Sequence, residues 1–155
     1  MSQLDLLFVV AGVSDDPAQT IGQISTDEFY QRMVTNAPSP MRALEHLAQH
    51  VRGNGSLAAM TSALGSISDN TTGGYETYRA SKAALNMLLR SYAARAGGER
   101  SILALMPGWV KTDMGGPDAP VEMSVRCAGL AVTIAKHAGN TGAAFVAFQD
   151  NVIAW

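Results

Sequence analysis

The stretch LDLLFVVAG, Leu4 to Gly12, is a nearly unbroken aliphatic run that stops at a glycine. A strand with one face in water alternates apolar and polar side chains, whereas a run that is apolar at successive positions needs cover on both faces. Leu4 to Gly12 therefore reads as a buried parallel strand. A parallel sheet needs crossover connections, usually helical, and the residues that follow supply them. Ser25 and Glu28 stand at capping-box spacing, so a helix is predicted to start there and to run to the break signalled by NAPSP. Beyond the prolines, Leu44, Leu47, Ala48 and Val51 fall on one apolar stripe, predicting a second helix or a kinked continuation of the first.

A glycine turn, GNG, then leads to a short strand of small residues, about Ser56 to Thr61. YETYRASKAALNMLLRSYAARAGG is rich in Ala, Leu and Arg and closes on Gly97 and Gly98, as a helix should. RSILALMPGWV is a further aliphatic strand, ended by Pro107 and Gly108. Residues from about Pro120 to His137 place Cys127, Leu130, Ala131, Ile134 and Ala138 on one helical stripe, and GAAFVAFQ gives a last strand. The order is that of an α/β protein with about four parallel strands and right-handed crossovers. If the chain always steps the same way, handedness puts the helices on one face and leaves the other face, and the first strand's edge, poorly covered.

The 155 residues are 47% hydrophobic, enough for one domain with a core, so residues 1–155 are read as a single domain. A net charge of −2 with 15% charged residues offers no basic surface to nucleic acid and no polybasic run to a membrane. The apolar run at the N-terminus is too short for a membrane span and follows an acidic residue, unlike a signal peptide; with a single cysteine, Cys127, a reducing cytoplasm is expected. An uncovered aliphatic edge is an association site, so a homodimer or homotetramer is expected.

YRASK, residues 78 to 82, carries the chemistry. Tyr78 and Lys82 are four apart and share one helical face. A tyrosine ionises near pH 10 and is a poor acid or base at neutral pH unless a cation stabilises its phenolate, which Lys82 could do. A hydroxyl from Ser62 or Ser66 could hold a substrate oxygen while Tyr78 gives or takes the proton. By spacing alone, an ordinary surface pair is the better reading.

The wider sequence resembles the short-chain dehydrogenase/reductase family from Leu4 to Trp155. YRASKAALN is similar to that family's YxxxK helix, MTSALGS to its serine-bearing strand end, TNAPSP to its helix asparagine segment, and MPGWVKTDM to its PG-V-T segment. The closing FQDNVIAW resembles the subgroup of C-factor-like and sniffer-like carbonyl reductases. The resemblance implies NAD or NADP as cofactor and a small carbonyl or alcohol as substrate. It makes Tyr78 the general acid/base and gives Lys82 the tasks of lowering its pKa and binding the nicotinamide ribose. Ser62 would hold the substrate carbonyl, with Ser66 as runner-up, and Asn36 would hold a relay water. Ala11, Gly12, Pro107, Gly108, Val110 and Thr112 would lie against the cofactor, and Met114 could line the substrate site.

Two departures stand beside these matches. Val9 to Gly12 read VVAG where the family has NNAG, and no G-x-x-x-G-x-G turn occurs for the pyrophosphate. The chain is thus expected to correspond to the C-terminal half of the family fold, a partial Rossmann-like domain of two or three layers. A shortened, non-catalytic assembly module is the alternative to an oxidoreductase.

Other signals are weighed and set aside. His46 and His50 are four apart, but they lie off the apolar stripe and no HExxH glutamate stands between them, so a solvated face is expected rather than a metal site. Cys127 reads as core rather than nucleophile, and the eight methionines as core filler. Trp109 and Trp155 could be packing residues, a substrate wall or a C-terminal anchor.

Overall fold

The computed structural model describes residues 3–155. Four parallel strands form one sheet in the order β1-β2-β3-β4, with β1 Leu4–Val9, β2 Val51–Met60, β3 Ser101–Met106 and β4 Gly142–Ala147. Helices α1 (Thr26–Asn36) and α2 (Pro38–Leu47) connect β1 to β2, α3 (Glu76–Ala96) connects β2 to β3, and α4 (Met123–His137) connects β3 to β4. The α/β class, the four strands and their parallel pairing are as the sequence predicts.

Side chains alternate across the sheet, and the two faces bury different sets. On one face Leu57, Ala59, Ile102, Ala104, Phe145 and Ala147 pack beneath Met41 and Leu44 of α2 and Leu85, Leu89 and Tyr92 of α3. On the other, Ala58, Leu103, Leu105 and Val146 pack against Leu130 of α4, with Phe8, Met60 and Ile134 beside them. The protein therefore has three layers, and the expectation of helices on one face is corrected. Every connection steps the same way along the sheet, so helices on opposite faces mean that the α4 crossover has the opposite hand to the other two. The long segment between β3 and α4, residues 107–122, makes this possible by crossing the carboxyl edge of the sheet. It is tied to itself by a parallel bridge of Val110 to Val121.

Other boundaries move for local reasons. The Ser25–Glu28 capping box forms in full and starts α1. The break falls at Ala37, and α2 begins afresh with Pro38 in its first turn, where a missing N–H costs nothing. α2 then stops at Leu47. Val51 opens β2 rather than ending a helical stripe, and Leu47 is exposed. Gly53 and Gly55, read as a turn, lie inside β2, where the pairing with β1 slips between Leu4 opposite Val51 and Leu6 opposite Ser56.

β1 is parallel but not buried, because it is the sheet's edge: Leu4 is 51% exposed and Val10 56%. Beside it, the stripe of α4 closes onto the sheet only in part, at Leu130 and Ile134. Cys127, Leu130, Ala131, Ile134 and Ala138 line an open apolar trough of about 550 Å³ shared with Leu6, Phe8, Val10 and Met60. Cys127 is accordingly exposed and not a core residue. Met87, Met114 and Met123 are exposed as well, so they are not core filler; Met41 is. Among the described residues no helix is long and apolar enough to cross a membrane.

Candidate active site

The carboxyl ends of β1, β2 and β3 and the first two turns of α3 bring the predicted residues together. In open α/β sheets ligands bind outside the carboxyl ends of the strands. Asn36, at the last turn of α1, is fully buried. Its Oδ1 accepts from the Val13 N–H at 2.8 Å, and its Nδ2 donates to the Val13 carbonyl at 2.8 Å and to the Ser81 Oγ at 2.9 Å. Ser81 in turn donates to the Tyr78 carbonyl at 2.8 Å. The side chain of Asn36 thus stitches the segment after β1 to the helix that carries Tyr78. Both of its N–H donors are spent, leaving neither for a water. Four residues on, Pro40 has no N–H to give the Asn36 carbonyl in the α-helical pattern.

Lys82 is 2% exposed, and its Nζ donates to the Met60 carbonyl at the end of β2 at 3.0 Å. Burial lowers its pKa to about 8. The ammonium lies 5.7 Å from the centre of the Tyr78 ring. Tyr78 is half-buried, and loss of water contact raises its pKa above the ordinary tyrosine value; a hydrogen bond with the Ser62 side chain opposes the rise and the nearby Asp15 carboxylate adds to it. In the free chain burial therefore favours the neutral phenol.

Ser62 is the serine the structure brings to Tyr78. It follows β2, and its Oγ also accepts from the Leu64 N–H at 3.2 Å, opening a 3₁₀ turn over Ala63–Gly65. Ser66 is buried and spends its Oγ accepting from the Asp69 N–H at 3.1 Å. Two buried residues absent from the sequence reading brace this loop: Thr61 donates to Asn86 Oδ1 at 2.8 Å, and Asn86 Nδ2 donates to the Gly65 carbonyl at 3.3 Å.

Gly12 lies against the same cluster. A Cβ there would come within 3.1 Å of Lys82 Nζ and 3.5 Å of Asn36 Oδ1, so a bare backbone keeps the approach to the lysine open. Past β3, Pro107 and Gly108 turn the chain, and Gly108 has φ +80, which only glycine adopts without strain. A Cβ at Gly108 would meet the Arg126 guanidinium at 2.8 Å. Arg126, missed in the sequence, is buried on α4 with its guanidinium 3.7 Å from the centre of the Phe148 ring, and burial lowers its pKa.

Thr112 is exposed and its hydroxyl closes its own turn, accepting from the Gly115 N–H at 3.0 Å. Trp109 Nε1 donates to the Gly115 carbonyl at 2.7 Å, and both Trp109 and Met114 stand exposed on this loop. Trp155 is an anchor: it packs on Phe145 with ring centres 5.4 Å apart, and its carbonyl accepts from Ser68. His46 and His50 are exposed, and among the described residues no three His, Cys, Asp or Glu are placed to hold a metal ion.

A parallel sheet covered by helices on both faces, with a tyrosine, a buried lysine, a serine and an asparagine at its carboxyl edge, defines a Rossmann-like α/β protein. The comparisons narrow it. A family model described as Enoyl-(Acyl carrier protein) reductase matches residues 1–124. The chain is 40% identical over 129 residues to the C-signal of Myxococcus xanthus, covering 79% of this chain and 76% of that protein. A short-chain dehydrogenase/reductase of Burkholderia multivorans with bound NADP superposes with a TM-score of 0.95 at 42% identity, over 99% of this chain and 67% of that one. The carbonyl reductase Sniffer of D. melanogaster superposes with a TM-score of 0.88 at 30% identity, again over 99% and 67%. The chain belongs to the short-chain dehydrogenase/reductase family.

Proposed function

We propose that this chain carries the proton-transfer half of a nicotinamide-dependent carbonyl reductase, acting on a small carbonyl or, in reverse, an alcohol. The observation that carries the reading is the junction of Ser62, Tyr78 and Lys82, with the bare backbone of Gly12 against the lysine. The fit to a nicotinamide and its ribose rests on that same opening: Gly12, after Ala11, presents main chain beside a buried ammonium, and Gly108 turns the chain at the end of β3. Gly12, Lys82 and Gly108 would hold the nicotinamide end of the cofactor, which when bound would supply the hydride to carbon.

The chain's own residues do the rest. Ser62 donates to the substrate oxygen and holds it beside the Tyr78 phenol, and the phenol gives up its proton to that oxygen as negative charge develops on it. Burial raises the phenol's pKa and so opposes formation of the phenolate, which leaves its stabilisation to the cation on the same helix. Lys82, kept from water but still mainly charged at neutral pH, steadies the phenolate that remains. The Asn36 carbonyl, without a donor from Pro40, accepts from a water that returns the proton. NADP is favoured by the cofactor of the Burkholderia multivorans relative.

The test is turnover by this chain with NADPH and a panel of small aldehydes and ketones. Tyr78→Phe is expected to lower kcat by about 10²- to 10⁴-fold with little change in thermal melting. No turnover with any carbonyl, in a chain that is folded by circular dichroism, would reject the reading.

A second reading is favoured by the bare edge of β1 and the trough beside it: the chain assembles with copies of itself as a dimer or tetramer. Light scattering should then give a mass above that of one chain, reduced to a monomer by Leu6→Lys. A wild-type monomer at high concentration would dismiss it.

A further inference from the structure

The helix that presents Tyr78 has no cap of its own. The residue at its N-cap position is Tyr75, with φ 50 in the left-handed region and no side-chain bond to the first turn. Glu76 is turned away, its carboxylate accepting from the Ile21 N–H at 2.7 Å. The first-turn N–H groups of a helix have no intrahelical acceptor, and one left unpaired costs a hydrogen bond. Here the acceptor comes from 62 residues upstream. Asp15 Oδ2 accepts from the Thr77 N–H at 3.2 Å, from the Tyr78 N–H at 3.1 Å and from the Thr77 hydroxyl. Thr77 also accepts from Arg32 Nη1 at 3.0 Å, so α1 supports the same turn. The other oxygen of Asp15, Oδ1, is buried with no partner, so the carboxylate sits where the helix needs it and not where its own solvation would be best.

We infer that Asp15 is a positioning residue: a remote cap that fixes the first turn of α3 and thereby the height and direction of the Tyr78 phenol at the carboxyl edge of the sheet. The inference rests on Tyr78 being the proton donor. Its negative charge, near the turn, also opposes ionisation of that phenol. The charged groups at this turn are Asp15 from the segment after β1, Arg32 from α1, and Lys82 and Glu76 from α3 itself, the last bonded away to the Ile21 N–H. Loss of Asp15 removes the carboxylate whose charge raises the Tyr78 pKa, so the phenolate should form at lower pH.

The test needs no turnover, so it stands or fails separately from the proposed reaction. Amide hydrogen exchange is followed by NMR in wild type, Asp15→Ala and Asp15→Asn, with the Leu85 and Leu89 amides of the same helix as internal references. Exchange at Thr77 and Tyr78 should quicken at least tenfold in Asp15→Ala relative to those references. Asp15→Asn, which keeps an acceptor oxygen and is expected to remain folded should the alanine variant fail, should quicken it less. Tyrosine labelled at Cζ should show Tyr78 titrating at lower pH in Asp15→Asn than in wild type. Wild-type exchange at Thr77 and Tyr78 in Asp15→Ala, or an unmoved or upward-moved Tyr78 titration in Asp15→Asn, would overturn the inference.

Discussion

Lys82 is the residue on which two demands meet. Its ammonium is buried to serve a phenolate, and burial of a charge is unfavourable unless a partner compensates for it. One carbonyl, that of Met60, is its only hydrogen-bond partner in the described structure. The folded-state pKa of about 8 lies below the reference of 10.5, so the unfolded chain holds more protons between those values. Stability therefore rises with pH from about 8 to about 10.5, and the full cost is present below about 8. Lys82→Met should be more stable than wild type at pH 7, by about 1–3 kcal/mol in urea unfolding. The gain should shrink toward pH 10, while carbonyl reduction is lost. A variant that is less stable at pH 7 would show that the Met60 contact outweighs desolvation. At this scale the spacing of Tyr78 and Lys82 decided nothing by itself; the resemblance of several ordered motifs pointed to Tyr78, Lys82, Ser62 and Asn36, and these four lie near one another at the carboxyl edge of the sheet. The sequence was silent on Asp15, because a cap delivered from another segment leaves no local signature at Tyr75.

At the scale of elements, helix starts with local signals were legible and those without were not. The capping box at Ser25 announced α1, but the boundary between α2 and β2 was hidden because Val51 satisfies a helical stripe and a strand equally well. The loop from Pro107 to Glu122 matters most for the site. It turns at Gly108 over the Arg126 guanidinium, with no room for a side chain between them. Gly108→Ala adds a positive-φ penalty and a clash with Arg126, and should cost about 1–3 kcal/mol in urea unfolding. Arg126→Leu, which removes the charged end while keeping apolar contact with Phe148, should recover part of that loss in the double variant. If Gly108→Ala is neutral, the turn is not held where it is seen. Arg126 could not have been found from the sequence, since on the helical pattern alone a single arginine reads as solvated.

For the molecule as a whole, the four parallel strands followed from aliphatic runs separated by helical patterns, yet the layering did not. Right-handed crossovers are a strong rule, and the last connection breaks it: the long carboxyl-edge loop lets α4 fold under the sheet, where its apolar stripe covers Leu103, Leu105 and Val146. The uncovered remainder of that face is the trough beside β1, which accounts for the exposure of Cys127. The arrangement leaves the carboxyl edge of the sheet intact, with Gly12, Ser62, Tyr78 and Lys82 in one place. Whether that edge works as a carbonyl reductase is tested most directly by isotope transfer. The chain is incubated with NADPH deuterated at the transferring position and a small carbonyl, and the alcohol formed is weighed by mass spectrometry. The account predicts an alcohol heavier by one deuterium from the wild-type chain and almost none from Tyr78→Phe. An alcohol without deuterium, or equal labelling from both chains, would contradict it.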